Sequence, residues 1–188
     1  MCGIVGCVGS DDALQIMLDG LRKLEYRGYD SAGVAVVSDG ELAVERRAGR
    51  LGVLEGQLNR SWLEGSMGIG HTRWATHGAP TDANAHPHRD CTGRIAIVHN
   101  GIIENHDVLR DRLQEEGHRF RSQTDTEVVA HLLESLRASG VATLREAVLE
   151  AVKVLEGAFA LVCISLDEPD KIIVARQEPP LIVGATDT

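Results

Sequence analysis

The chain has 188 residues, which is enough for one domain with a sizeable core. Its net charge of −9 at pH 7 argues against a nucleic-acid partner, because phosphate backbones are bound by clustered lysine and arginine. No apolar run approaches the roughly 20 residues of a membrane span, and no basic region of a signal peptide precedes the opening run. The cysteines form no CxxC pair, so we expect reduced thiols and a cytoplasmic protein.

The first half of the chain predicts strands around one helix. The apolar run at residues 2–8 predicts a strand, and leucines at helical spacing predict a helix that begins after Asp11 or Asp12. A hairpin that turns at Asp39-Gly40 is predicted by GVAVVSDGELAVERR, and two more strands are predicted by MGIGHTRW and RIAIVHNG. Between these two lies THGAPTDANAHPHRDCTG, a polar loop of a length that usually carries function.

The second half predicts three helices followed by strands. The helices are predicted at residues 105–116, 125–138 and 143–155, with Asn105 as the cap of the first and the capping-box sequences TDTE and TLRE at the other two. Three further strands are predicted by AFALVCIS, KIIVARQ and LIVG. This order of elements predicts an α+β fold in which helices cover packed sheets.

Cys2 directly follows the initiator methionine, at the head of the first predicted strand, and permits two interpretations. It can pack as a small hydrophobic residue, as we expect of Cys7 and Cys163. Alternatively, removal of Met1 leaves a thiol and a free α-amine on one residue, and an amine with a pKa of about 8 can accept the thiol proton. The position of Cys2 alone favours the first interpretation.

The stretch GHTRWATHG places polar residues directly after an apolar strand: Arg73, Trp74, Thr76 and His77. Arginine can hold a carboxylate through two parallel hydrogen bonds, threonine and histidine can orient a polar ligand, and tryptophan can exclude water. The same pattern also fits a surface strand end with a cation–π pair.

Two other polar sites follow along the chain. Asn100 and Gly101 can direct a side-chain amide and a backbone N–H at one point, as in an oxyanion hole, although Asn-Gly is also a common turn. Asp125 begins a predicted helix, where it can recognise an ammonium group or merely favour the helix dipole.

Metal binding and a tight turn are two further interpretations of the sequence. His86, His88 and Cys91 are disfavoured as metal ligands because a fourth ligand at zinc-finger spacing is missing. We therefore expect no metal.

Arg27 and Asp30 are interpreted as a structural pair across a tight turn.

Six stretches, taken together and in this order, resemble the glutaminase domain of the glutamine–fructose-6-phosphate aminotransferases. They are MCGIVG, LEYRGYDSAG, GHTRWATHG, NAHPH, VHNGIIENH and TDTEV. Amidophosphoribosyltransferases and asparagine synthetases share the N-terminal cysteine, but LEYRGYDSAG and HTRWATHG resemble the hexosamine enzymes. The resemblance implies a four-layer αββα sandwich of N-terminal-nucleophile hydrolase type, either complete or lacking its last strands.

The resemblance also implies a role for each matching residue. Cys2, after loss of Met1, would attack the side-chain amide of glutamine with its own amine as base, and Asn100 with the Gly101 N–H would hold the oxyanion. The α-carboxylate of glutamine would bind Arg73 and its α-ammonium group would bind Asp125. Thr76 and His77 would line the pocket, and Trp74 would gate it. Arg27 and His86 would support the nucleophile.

The implied organisation is one C-terminally incomplete glutaminase domain over residues 1–188, without the sugar isomerase domains of the parent chain. We expect L-glutamine as substrate, a homodimer in the full-length protein, no cofactor, and no nucleic-acid or membrane partner. Two alternatives remain: a non-catalytic glutamine-binding module, and a glutaminase domain serving another acceptor such as phosphoribosyl pyrophosphate.

One stretch departs from the family pattern. The sequence RQEPPL stands where the family usually has Arg-x-Gly-Ser-Pro-Leu, so Glu178 and Pro179 replace the small pair. We expect this departure to lie away from the pocket and to affect stability more than chemistry.

Overall fold

Two antiparallel sheets form the centre of the protein in the computed structural model, which describes residues 2–75 and 77–185. The first sheet has the order β1-β4-β2-β3, with β1 (Gly3–Val8), β2 (Ser31–Ser38), β3 (Glu41–Ala48) and β4 (Met67–Arg73). The second has the order β5-β6-β7-β8, with β5 (His88–Arg89), β6 (Ile95–Ile103), β7 (Gly157–Ser165) and β8 (Ile173–Gln177).

Helices cover the outer face of each sheet. The first sheet packs against α1 (Ala13–Leu24) and α2 (Leu51–Glu55), whereas the second packs against α3 (His106–Glu115), α4 (Glu127–Ala138) and α5 (Leu144–Ala151). Short 3₁₀ turns lie at Glu25–Arg27 and Arg60–Trp62. None of the helices in the described part of the chain is both long and apolar enough to cross a membrane.

Three cores separate these layers, because side chains alternate between the two faces of each strand. In β2, Val34 and Val36 pack against α1 while Ala35 points between the sheets. In β6, Ile97 packs beneath α4 while Val98 joins the core between the sheets. The predicted α+β, four-layer αββα architecture is therefore confirmed.

Most predicted element ends have the expected local chemistry. Asp12 caps α1 by accepting a hydrogen bond from the Gln15 N–H at 3.2 Å. The hairpin turns at Asp39 and Gly40, both with positive φ, and Thr143 forms the full predicted capping box at α5.

Two predicted caps are wrong. The Asn105 side chain makes no cap hydrogen bond, because its Nδ2 donates to Val154 O and its Oδ1 accepts from Glu156 N. In the predicted TDTE capping box, Thr124 Oγ1 accepts from the Glu127 N–H at 3.4 Å, but the Glu127 carboxylate turns instead to Ser122. The Asn105 and Glu127 side chains thus form hydrogen bonds with residues other than those of the predicted caps.

The strand predicted at LIVG is also wrong. Residues 181–184 are not a strand, and Ile182 is 94% exposed. The segment follows Pro179 and Pro180, which have no N–H to donate to a ladder, and it pairs with no described strand. Within this segment, Leu181 is partly buried and packs against the core between the sheets.

Candidate active site

All the predicted site residues except Thr76 and His77 line one cavity of about 330 Å³. Thr76 lies outside the described residues. His77 is not among the lining residues; its ring packs edge-on against His106. The cavity is also lined by residues that the prediction omitted, namely His99, Ile102, Thr124, Thr126, Pro179 and Pro180.

Cys2 reaches the cavity because β1 pairs with β4. The register places Gly3 opposite Thr72, so that Cys2 lies beside the residues that follow β4. Its Sγ accepts a hydrogen bond from the Trp74 N–H at 3.1 Å. Burial raises the pKa of the Cys2 thiol, and the Trp74 N–H and the Arg73 charge only partly offset this effect. The resting group is therefore a thiol.

Asn100, in β6 of the second sheet, contacts Cys2. Its Nδ2 donates to Cys2 O at 3.2 Å, and its Oδ1 lies 3.0 Å from His71 Nε2. His71 Nε2 also contacts His99 O at 3.1 Å, and since both partners are acceptors, this nitrogen carries the proton. His71 thereby fixes which end of the Asn100 amide faces Cys2.

His71 is a site residue that the sequence reasoning missed. It is fully buried in β4, and burial lowers its pKa to about 3, although its hydrogen bonds with Asn100 and His99 act in the opposite direction. The available signal was a histidine inside an otherwise apolar strand. Its neutral imidazole supplies an N–H donor without placing a charge behind Asn100.

The Asn100-Gly101 pair lies inside β6, so the alternative of a simple turn does not hold. Gly101 has φ +131, and a Cβ atom there would lie 1.9 Å from Ala158 O. Only glycine fits this position, and the cavity is open beside its backbone.

Arg73 ends β4 with its side chain buried. Its Nη2 donates to the carbonyl oxygens of His77 and Gly78, and its Nη1 has no hydrogen-bond partner among the described residues. Asp125, also buried, accepts a hydrogen bond from the Ile103 N–H at 2.8 Å. Among the charged groups that line the cavity, Arg73 and Asp125 are buried, and together they complement a zwitterionic amino acid; Arg27 is a second cation at the wall.

Trp74 forms an exposed edge of the cavity, where its ring packs edge-on against Tyr29 with a centroid separation of 5.4 Å. Among the described residues, Arg73 makes no cation–π contact with Trp74. Asp30 Oδ2 accepts from the Ala75 N–H at 2.9 Å, which holds the chain segment after β4. Arg27 lines the cavity from the adjacent 3₁₀ turn.

His86 lies buried at the inner wall of the cavity. Its ring centroid is 4.2 Å from that of His71 and 4.8 Å from that of His88. Within the described ranges, these histidines do not form a ligand group with Cys91. Burial lowers the pKa of His86 well below its ordinary value, so the ring is neutral.

The sequence reasoning expected the RQEPPL departure to lie away from the pocket. In the structure it lies at the cavity instead. Pro179 and Pro180 line the cavity together with Cys2. Glu178 has φ +76, a left-handed conformation that glycine adopts without strain. A glycine, as in the usual family pattern, would adopt this conformation freely, whereas Glu178 adopts it at an energetic cost.

Comparison with known proteins identifies the family. A model of the glutamine amidotransferase domain matches residues 71–187. Glutamine–fructose-6-phosphate aminotransferases from Streptomyces coelicolor and Clostridium perfringens are 57% and 53% identical over 98% of this chain, which spans 30% of each relative.

A solved structure gives an independent match. Glutamine phosphoribosylpyrophosphate amidotransferase from B. subtilis superimposes with a TM-score of 0.74 and 30% identity, over 88% of this chain and 35% of that one. The fold is that of the N-terminal-nucleophile hydrolases. The chain therefore belongs to the glutamine amidotransferase domain family.

Proposed function

We propose that the chain is a glutaminase module in which Cys2 hydrolyses the side-chain amide of L-glutamine to glutamate and ammonia. The observation that carries this proposal is the cavity, where a thiol, a fixed side-chain amide, a buried arginine and a buried carboxylate face the same space. The 53–57% identity to two aminotransferases named for glutamine supports the same substrate.

The nucleophile requires the α-amine of Cys2. Because burial keeps the thiol protonated, a base must take its proton, and the amine freed by loss of Met1 lies on the same residue. The Cys2 Sγ then bonds to the amide carbon, and the thiol proton passes through the amine to the departing ammonia. Water hydrolyses the resulting γ-glutamyl thioester, which releases glutamate and restores the thiol.

The developing oxyanion is held by Asn100 Nδ2 and the Gly101 N–H. Hydrogen-bond donors fixed in advance stabilise the charge without reorganising during the reaction. His71 is the positioning residue, since its Nε2 hydrogen bond prevents the Asn100 amide from turning its oxygen toward the substrate.

Substrate binding follows from the two buried charges. Arg73 uses its unpartnered Nη1 to bind the α-carboxylate of glutamine, and Asp125 binds the α-ammonium group. Thr76 and His77 complete the pocket in this proposal, and Trp74 gates the site. Arg27 and His86 support the nucleophile from the cavity wall.

The acceptor of the ammonia belongs to the longer protein. Fructose 6-phosphate, converted to glucosamine 6-phosphate, is favoured because identity to the aminotransferases is 53–57%, against 30% to the phosphoribosylpyrophosphate amidotransferase. That second relative makes phosphoribosyl pyrophosphate the alternative acceptor. The proposal extends to sugar isomerase domains in the parent chain, a homodimer and a cytoplasmic location.

The test is glutamate formation from glutamine by the chain, by Cys2→Ala and by Cys7→Ala. We expect turnover in the wild-type chain, a loss of about 1,000-fold or more in Cys2→Ala, and near wild-type turnover in Cys7→Ala. Undiminished turnover in Cys2→Ala would contradict the mechanism. Glutamine binding without turnover by the wild-type chain would favour the non-catalytic module.

A further inference from the structure

A second cluster of ligand-bearing side chains lies outside the cavity. Cys91, His118, His131 and Glu134 place one sulfur, two imidazole nitrogens and one carboxylate oxygen within 4.8 Å of one another. None of these residues lines the cavity that contains Cys2. The glutaminase mechanism proposed above uses none of them.

The distances fit a tetrahedral metal site. Cys91 Sγ lies 3.8 Å from His118 Nδ1 and 3.5 Å from His131 Nδ1, and Glu134 Oε2 lies 3.0 Å and 3.3 Å from the same two nitrogens. Tetrahedral zinc with bonds of about 2.0–2.3 Å has ligand atoms separated by about 3.3–3.6 Å. The four atoms therefore surround a space of the size that such an ion occupies.

Neighbouring groups orient the ligand atoms. Glu127 Oε1 lies 3.6 Å from His131 Nε2, so a carboxylate stands near the ring nitrogen that faces away from the cluster, although it is too far for a hydrogen bond. The Arg119 N–H donates to Cys91 Sγ at 3.2 Å, and the Cys91 N–H donates to Glu134 Oε2 at 2.9 Å. Carboxylate support for a ligating histidine is a regular feature of metal sites.

Without a metal, the hydrogen bonds among the four groups depend on which imidazole nitrogens carry a proton. Glu134 Oε2 accepts from either imidazole, but the Cys91 thiol has one proton and faces two imidazole nitrogens. If both histidines donate to Glu134, the thiol can donate to neither. A cation at the centre uses one lone pair from each of the four groups at once.

We propose that Cys91, His118, His131 and Glu134 bind a divalent transition-metal ion of the zinc class in a closed, four-coordinate structural site. The Cys91 thiol releases its proton to solvent on binding, and the thiolate and the carboxylate neutralise the two charges of the ion. Four protein ligands leave no open position for catalysis.

The site would connect three separate segments of the chain. Cys91 follows β5, His118 follows α3, and His131 and Glu134 lie one turn apart on α4. The sequence reasoning expected no metal because it grouped Cys91 with His86 and His88, its neighbours in the chain. The fold instead brings Cys91 to the outer helices.

The test titrates the chelator-treated chain with Zn²⁺ by calorimetry and with Co²⁺ by absorption spectroscopy. We expect one equivalent of each ion, with the visible absorption of tetrahedral cobalt and a thiolate-to-cobalt charge-transfer band. Cys91→Ser and His118→Ala should each weaken binding by about 100-fold or more, and Cys91→Ser should remove the charge-transfer band. Both residues lie near the surface, and circular dichroism checks that the variants fold.

Two cysteine variants serve as controls. Cys7→Ser and Cys2→Ala should keep full metal binding, because neither thiol belongs to the cluster. Zinc should raise the unfolding temperature of the wild-type chain and of Cys2→Ala, but not that of Cys91→Ser. The proposal is overturned if the wild-type chain binds neither ion, if Cys91→Ser binds as tightly as the wild type, or if Cys2→Ala abolishes binding.

Discussion

Mild acid should destabilise this protein strongly, because histidines are buried in their neutral form. Burial is the main cause that lowers the pKa values of His71 and His88, each to about 3. In the unfolded chain both side chains titrate at about 6.5. The unfolded state therefore binds more protons between these values, and the stabilisation present above pH 6.5 is lost as the pH falls toward 3.

The magnitude follows from the two pKa values. For one histidine with a pKa of about 6.5 unfolded and about 3 folded, the free energy of unfolding falls by about 2 kcal/mol between pH 7 and pH 5. His71 and His88 together account for about 4 kcal/mol, which is a large part of the roughly 5–15 kcal/mol typical of a domain. Burial also lowers the pKa values of His86 and His99, which therefore act in the same direction.

The assay is urea unfolding followed by circular dichroism at pH 7, 6 and 5, with a chelator present so that metal release does not contribute. His88→Gln is the matched variant, because glutamine can keep a hydrogen bond to Thr124 Oγ1, now 3.0 Å from His88 Nε2, without titrating. Its loss of stability between pH 7 and pH 5 should be smaller by about 2 kcal/mol. An unfolding free energy that stays constant over this range, or equal losses in the two proteins, would refute the reasoning.

Three further substitutions test the site and its surroundings. Gly101→Ala would place a Cβ atom 1.9 Å from Ala158 O, so we expect kcat for glutamine hydrolysis to fall about 100-fold or more, and an unchanged kcat would contradict the oxyanion role. Arg73→Lys should raise KM for glutamine about 10-fold in steady-state assays, since one ammonium cannot replace both the Nη2 contacts with His77 and Gly78 and the Nη1 contact with substrate; an unchanged KM would exclude Arg73 as the carboxylate ligand. Glu178→Gly should stabilise the chain by about 1 kcal/mol in urea unfolding by relieving the left-handed backbone, and a destabilised variant would contradict this account of the turn.

The layered fold could be predicted because its central strands are nearly continuous apolar runs. In β2 and β6, apolar residues occupy both faces, which predicts sheets buried on both sides. The same reasoning failed at residues 181–184, where apolar composition alone predicted a strand. Strand formation also needs a partner with free hydrogen-bonding groups, and sequence pattern does not report which partners are within reach.

The sequence predicted most of the residues that line the cavity, with His77 as an exception and Thr76 outside the described residues, but it could not predict their geometry. Cys2 and Asn100 are 98 positions apart in the chain, and the packing of the two sheets brings them into contact. The role of His71 depends on which atoms its ring nitrogen meets, which no local pattern encodes. Cys91 was grouped with nearby histidines for the same reason, whereas its spatial neighbours lie on α4 and after α3.

The central claim, that Cys2 is an N-terminal nucleophile, is tested most directly by mass spectrometry after reaction with an electrophilic glutamine analogue. The account predicts one adduct per chain, located on Cys2 of a protein that has lost Met1, and protection by excess glutamine. An adduct on Cys7 or Cys91, no adduct at all, or an active protein that retains Met1 would contradict it.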